Sequence, residues 1–212
     1  MAFASEIDPH PVGTLWILRL DKSVPVAVAP RIAATFECVD SEAASLLSQA
    51  MGLTEPALVL QRFASGQRCY VVRAGGKLAA YGWVSFDEEE IGELGLHIHL
   101  APDEAYIWDC ATLPAYRGQH LYPALLVHII SKLRTEGLRQ LWIGASRENV
   151  ASQRGMMLAG FQPAVDVLIV QAPTGLQYLV SGRPGISEEV VVAARHALFG
   201  KGKPIEPIVD QA

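Results

Sequence analysis

The residue types best suited to chemistry lie in a turn at residues 114–123, which reads PAYRGQHLYP. An apolar strand candidate precedes this turn and an amphipathic helix candidate follows it, so several backbone N–H groups should converge where the helix begins. Arg117 adds a guanidinium that can donate charge-assisted hydrogen bonds to an anion. The turn therefore favours a phosphate ligand, with an ordinary surface loop as the alternative.

A second group of polar residues follows the next strand candidate, where Asn149 and Ser152 open a short helix that ends in Gly160-Phe161. Because Ser152 lies about one helical turn after Asn149, the two side chains share one side of that helix. Taken singly, Asn149 is equally well explained as a helix cap. Asn149 and Ser152 support a binding site more strongly when they are considered together with the turn at 114–123.

In this order the two segments resemble the pyrophosphate signature and the downstream Asn-containing helix of the GNAT superfamily of acyl-CoA-dependent N-acyltransferases. Arg117 matches the first position of the signature, and Gly118 stands where many members also have glycine. His120 and Tyr122 stand where glycine or a small residue is usual, and a Cβ there restricts the approach of backbone amides to a phosphate. The chain is identified as a divergent member whose specific resemblance covers residues 106–161.

The resemblance implies that acetyl-CoA or another acyl-CoA is a cosubstrate, and that its acyl group passes to an amine by direct attack on the thioester. It also implies that the strand before the turn splays from its neighbour and contacts pantetheine. The residues implied in CoA binding are Ala111, Thr112, Leu113, Arg117, Gly118, Gln119, His120, Leu121, Tyr122, Pro123, Asn149 and Ser152.

The residues that would transfer protons are harder to identify from the sequence. The tyrosine that many relatives carry on the downstream helix corresponds to Met156 here. The candidate catalytic residues are Asp109, Tyr106 and Ser152. Alternation along the strand places Asp109 on the face opposite Tyr106, as a buried structural partner, unless a bulge shifts the register.

Because no clear general acid or base is evident, a second functional class stays open, a non-catalytic CoA-binding regulatory module. A third reading is a turn that binds another phosphate ligand, such as a nucleotide.

Two histidines, His97 and His99, share one face of an earlier strand candidate and are either bases or ordinary strand residues. A metal is not predicted, because no third ligand is evident and the three cysteines form no C-x-x-C unit. Cys110 lacks an assignable histidine partner, which disfavours it as a nucleophile.

Length and composition fit one globular domain, since the 212 residues are 50% hydrophobic and 18% charged. The expected class is α/β (α+β), with a mixed central sheet flanked by helices on both faces. We expect a domain over residues 1–200, followed by a flexible tail at 201–212. Its three parts are a divergent N-terminal portion with an acceptor pocket (1–104), a CoA-binding core (105–161) and closing strands with a helix (162–200).

Hydrophobic periodicity and turn residues predict the elements. Helices are expected over 31–51, 55–64, 123–137, 149–159 and 187–199. Strands are expected over 13–20, 68–73, 77–86, 95–100, 106–112, 139–145, 165–170 and 176–180. The acidic run 87–90 is expected to be a solvated turn.

The net charge of -5 and the pI near 5.7 disfavour nucleic acid and anionic membranes as partners. No apolar run approaches the roughly 20 residues that span a bilayer, and the acidic N-terminus is unlike a secretory signal. We therefore expect a cytoplasmic protein whose acceptor is a small-molecule amine or a protein amine. The sequence leaves both a monomer and a homodimer open.

Overall fold

A computed structural model describes residues 10–91, 96–172 and 175–200. The expected tail at 201–212 and the first residue of the 95–100 strand lie outside the described residues. The elements are β1 (His10–Arg19), β2 (Thr35–Val39), α1 (Ala44–Ala50), α2 (Ala57–Ala64), β3 (Arg68–Ala74), β4 (Lys77–Ser85), β5 (Glu88–Ile91), β6 (Leu96–His99), β7 (Glu104–Thr112), α3 (Leu121–Thr135), β8 (Gln140–Ser146), α4 (Val150–Leu158), β9 (Gln162–Ala172), β10 (Gly175–Gly182) and α5 (Glu188–Phe199). Short 3-10 helices at Ser41–Ala43 and Pro114–Tyr116 precede α1 and α3.

The central sheet has eight strands in the order β10-β9-β1-β8-β7-β4-β3-β2, and β5 pairs with β6 in a separate hairpin. β7 and β8 are parallel, whereas the other neighbours are antiparallel. The sheet is therefore mixed, as predicted. β1 joins its two halves, because this N-terminal strand lies between β8 and β9.

Helices cover both faces of the sheet, which confirms the expected fold class. On one face α3 packs against β3, β4 and β7, and buried Leu125 and Ile129 contribute to the core there. On the other face α1 and α2 cover a cluster that contains Leu47 and Trp83. At the far end of that same face α5 packs on β9 and β10.

Two element predictions are wrong. The helix expected over 31–51 begins only at Ala44, because the first part of the segment is β2, which pairs with β3. The missed signal is the alternation of Ile32, Ala34 and Phe36, all of which pack on the core. The acidic run 87–90 is not a turn but forms most of β5, whose Glu88 meets two histidines of β6.

The other predicted elements are present, and each end lies within three residues of the predicted one. Gly75 and Gly76 both have positive φ angles, 56° and 76°, in the turn between β3 and β4, as two-residue hairpin turns require. Pro123 lies in the first turn of α3, where its missing N–H is harmless. Gly160 follows α4 with φ 97°.

Candidate active site

The parallel strands β7 and β8 separate halfway along their length. They pair from Glu104 with Gln140 to Ile107 with Ile143, yet β7 continues to Thr112 and β8 to Ser146. A cleft of about 760 Å³ opens at this separation. Tyr106 stands at its apex, since its hydroxyl lies 3.3 Å from the point where a Cβ on Gly144 would be. The splay implied by the resemblance is present.

The cleft passes from one face of the sheet to the other. Tyr122 of α3 and Ser152 of α4 line it on one side. Arg62 of α2, Glu90 of β5 and Leu198 of α5 line it on the opposite side. A ligand that enters beside α3 and α4 can therefore meet a second ligand that enters beside α2 and α5.

The predicted phosphate turn has the backbone geometry of an anion site. Gly118 and His120 have positive φ angles of 75° and 57°, so His120 adopts the left-handed conformation that glycine favours. Among the described residues, no main-chain carbonyl accepts a hydrogen bond from the amides of Gly118, Gln119 or His120. These amides precede the N-terminus of α3, and Arg117 beside them is exposed.

Arg31 holds this turn from its carbonyl side, a contact that sequence reasoning missed. Its backbone N–H donates to the Gln119 carbonyl at 2.9 Å and its Nη1 donates to the Gly118 carbonyl at 3.1 Å. Farther back, Ser23 accepts a hydrogen bond from Arg134 at the end of α3. The segment between β1 and β2 thus runs the length of α3 and orients the turn.

Tyr122 and Ser152 meet across the gap between α3 and α4. Their hydroxyl oxygens are 3.0 Å apart. Burial raises the pKa of the Tyr122 phenol far above its ordinary value, and the hydrogen bond to Ser152 only partly opposes that rise. Tyr122 therefore keeps its proton at neutral pH and can donate a hydrogen bond, while the same rise in pKa makes it a weaker acid.

Asn149 is the N-cap of α4, because its Oδ1 accepts a hydrogen bond from the Ser152 N–H at 3.1 Å. The side chain also borders the cleft. Met156 is buried in the core and has no proton to donate. The predicted CoA contacts of Asn149 and Ser152 remain predictions.

Asp109 faces the cleft because β7 contains a bulge. The register with β4 shifts between Tyr81 and Trp83, which leaves Asp109 and Cys110 opposite Gly82. Asp109 itself has φ 40°, a conformation that L-residues seldom adopt. The bulged alternative is thus the one present, and the carboxylate is 30% exposed in the cleft instead of buried.

Arg62 binds this carboxylate, and sequence reasoning did not single it out. Its Nη1 donates to Asp109 Oδ2 at 2.5 Å. The guanidinium carbon also lies 5.1 Å from the ring centre of Trp83 and 4.4 Å from that of Trp108. A lone arginine in a short helix gives no sequence signal for such a contact.

The remaining sequence candidates do not add a nucleophile or a base. Burial, and secondarily Asp109, raise the pKa of the Cys110 thiol to about 12, so it stays protonated. Nδ1 of His97 lies 2.8 Å and that of His99 3.5 Å from Glu88, and neither borders the cleft among the described residues. Within the described ranges, no group of three potential ligands could hold a metal.

The fold is a mixed sheet with helices on both faces and a cleft where two parallel strands separate, and comparison with known families identifies its class. The profile of the acetyltransferase (GNAT) family matches residues 37–161, more than half of the chain. The protein therefore belongs to the GNAT family, as the resemblance indicated. Comparison with curated proteins gives no match.

Solved structures share the fold at low sequence identity. A GNAT-family acetyltransferase from Colwellia psychrerythraea superposes with a TM-score of 0.56 at 16% identity, over 77% of this chain and 56% of that one. The ribosomal-protein-S18-alanine N-acetyltransferase from Escherichia coli gives 0.50 at 18% identity, over 72% and 97%. The chain thus spans little over half the length of the Colwellia protein. In the part of the chain that the structure describes, no helix is long and apolar enough to cross a membrane.

Proposed function

We propose that this protein transfers an acetyl or other acyl group from acyl-CoA to an amine in the cleft between β7 and β8. The observation that carries the proposal is the cleft itself, which opens beside Tyr122 and Ser152 on one face of the sheet and reaches the Asp109 carboxylate on the other. Acyl transfer needs both ends of the cleft, since one ligand is a polyanionic thioester and the other must lose a proton.

The CoA half of the site uses mostly backbone groups. The amides of Gly118, Gln119 and His120, with Arg117, suit the pyrophosphate. Beyond Ile107 the edge of β7 that faces β8 pairs with no strand of the described residues, so N–H and C=O groups along it can bind the amides of pantetheine. Ala111 and Thr112 form the end of that edge, and Leu113 follows it with its N–H bonded to the Ala79 carbonyl of β4. Leu121 and Pro123 anchor the helix start by burial.

We assign the two proton transfers to two groups on opposite sides of the thioester, a proton acceptor and a proton donor. Asp109 accepts a proton from the attacking amine, whose nitrogen forms a bond to the carbonyl carbon as the C–S bond breaks. The departing thiolate takes a proton from the Tyr122–Ser152 pair. A thiol of pKa about 8.5 leaves with less assistance than an alkoxide, so this modest donor suffices. Tyr106 at the apex bounds the position of the carbonyl.

Thiol release from acetyl-CoA, measured with a panel of amines, tests the proposal. We expect turnover with at least one acceptor class, and a loss of about 10²-fold or more in kcat for Asp109→Asn. CoA binding without turnover across the whole panel would favour the regulatory module. Displacement of CoA by nucleotides in a melting assay would favour a different phosphate ligand.

A further inference from the structure

The acceptor half of the cleft is built around one ion pair, Arg62 with Asp109. Arg62 comes from α2 and Asp109 from the bulge of β7, and both border the cleft. The Nη1–Oδ2 distance is 2.5 Å, and the side chains are 13% and 30% exposed. The pair is therefore sheltered but open to a ligand.

The guanidinium is held in place by aromatic rings more than by polar groups. Trp83 and Trp108 both lie within 5.1 Å of its carbon. Among the described residues, Asp109 is its one hydrogen-bond partner. Because a guanidinium has five N–H donors, most of them are left for another acceptor. A rigid fork with spare donors is suited to a carboxylate.

The neighbouring carboxylate of Glu89 is already engaged by the protein. Its Oε2 accepts hydrogen bonds from Ser85 and Gln67, each at 2.5 Å. Ser85 in turn accepts one from Trp108 at 2.8 Å. This chain of hydrogen bonds fixes Trp108 beside the guanidinium, and Asp109 is the carboxylate that the guanidinium binds.

We infer that the acceptor carries a carboxylate close to its amine, as a free amino acid does. The acceptor carboxylate binds Arg62 while its ammonium group lies against Asp109, so the ligand inserts its two charges into the existing ion pair. An amine without a carboxylate would compete with the guanidinium for Asp109 and would bring no second carboxylate for Arg62. The inference rests on the proposed function and narrows it to small amino-acid-like acceptors.

The step balances without any further reactant. The ammonium group gives one proton to Asp109, and the neutral nitrogen bonds to the carbonyl carbon as the C–S bond breaks. The thiolate takes a proton from the Tyr122–Ser152 pair. The new amide nitrogen releases its second proton to water, and water returns one proton to the pair. The products are an N-acyl amino acid and CoA.

The test compares each amino acid with its own carboxamide as acceptor. Wild-type kcat/KM should be about 10- to 150-fold higher for the acid, the value of a charged hydrogen-bonded contact. In Arg62→Gln that ratio should fall towards one, and Arg62→Lys, which keeps the charge without the fork, should lie between. Arg68→Gln is the matched control, because Arg68 also pairs with a carboxylate, on Glu136, and stacks on an aromatic ring but borders no part of the cleft.

The outcomes separate the inference from the proposed function. Turnover of acids and carboxamides at equal rates by the wild type overturns the inference alone. No turnover of any amine overturns both. An unchanged ratio in Arg62→Gln, with CoA affinity and melting temperature retained, also overturns it. If Arg62→Gln does not fold, the wild-type ratio together with Arg62→Lys decides.

Discussion

The ring of Tyr122 fills the space that a side chain at position 155 would need. A methyl group on Gly155 would overlap the ring carbons Cδ1 and Cε1. The hydroxyl of the same ring reaches Ser152, on the preceding turn of α4, at 3.0 Å. One tyrosine therefore joins α3 to α4 at the edge of the cleft, and glycine at 155 allows that contact.

Gly155→Ala should destabilise the protein by about 1–3 kcal/mol, the usual cost of overpacking. This is opposite in sign to the helix propensity of alanine, which favours the substitution by about 1 kcal/mol. Urea unfolding measures the difference. In a Tyr122→Ala background the same change should be neutral or stabilising, because the overlap is gone. Equal costs in both backgrounds would show that the ring is not the cause.

Tyr122→Phe removes the hydroxyl and keeps the ring. We expect kcat to fall by about 10²-fold with CoA affinity nearly unchanged, because only the proton donor is lost. Burial raises the pKa of Tyr122, so its ionisation should not reduce the wild-type kcat between pH 7 and about 10. Ser152→Ala, which keeps the backbone N–H that donates to the capping Asn149 Oδ1, should give a smaller loss. A larger loss from Ser152→Ala would assign the donor role to the serine.

Arg117→Glu should weaken CoA binding by about 10-fold or more, because it replaces a charged donor beside the pyrophosphate with a repelling carboxylate. The side chain is exposed, so the melting temperature should stay unchanged. Isothermal titration with CoA measures the affinity. Arg139→Glu is the control, because Arg139 is an exposed arginine that precedes β8, at the end of that strand away from the cleft. Equal affinities for wild type and Arg117→Glu would remove the proposed pyrophosphate site.

Sequence reasoning worked best where the signal was local. The turn from Arg117 to the start of α3 was predicted because glycine, a cation and a helix-opening proline lie within a few residues of one another. The hairpin between β3 and β4 was predicted because Gly75-Gly76 joins two apolar strands. In each case the interactions that define the structure connect residues close in the chain.

The parts that were missed depend on distant contacts or on a single backbone angle. Nothing near β1 indicates that it lies between β8 and β9. Asp109 reaches the cleft only because one residue has a positive φ angle, and a one-residue shift moves a side chain to the other face of a strand. Arg62 and Arg31 act on residues far along the chain. A cytoplasmic location and a homodimer remain predictions.

Alkaline pH should destabilise the fold through its buried acids. Burial raises the pKa of the Cys69 thiol well above its ordinary value, and it raises that of Cys110 and Tyr81 to about 12. These groups stay protonated in the folded protein while the unfolded chain loses their protons above about pH 8.5 to 10. The unfolded state then binds fewer protons, so the contribution of these three groups to the free energy of unfolding should be constant below about pH 8.5 and fall between there and pH 12.

Urea unfolding at intervals from pH 7 to 11 measures this decrease. Cys69→Ala should make the slope shallower, because one of the groups that ionise only on unfolding is removed. Cys38→Ala should change the slope less, since Cys38 is exposed and, although partial desolvation raises its pKa, the nearby Arg68 opposes that rise. A free energy of unfolding that does not change between pH 8 and 11 would contradict the assignment of these groups as buried and protonated.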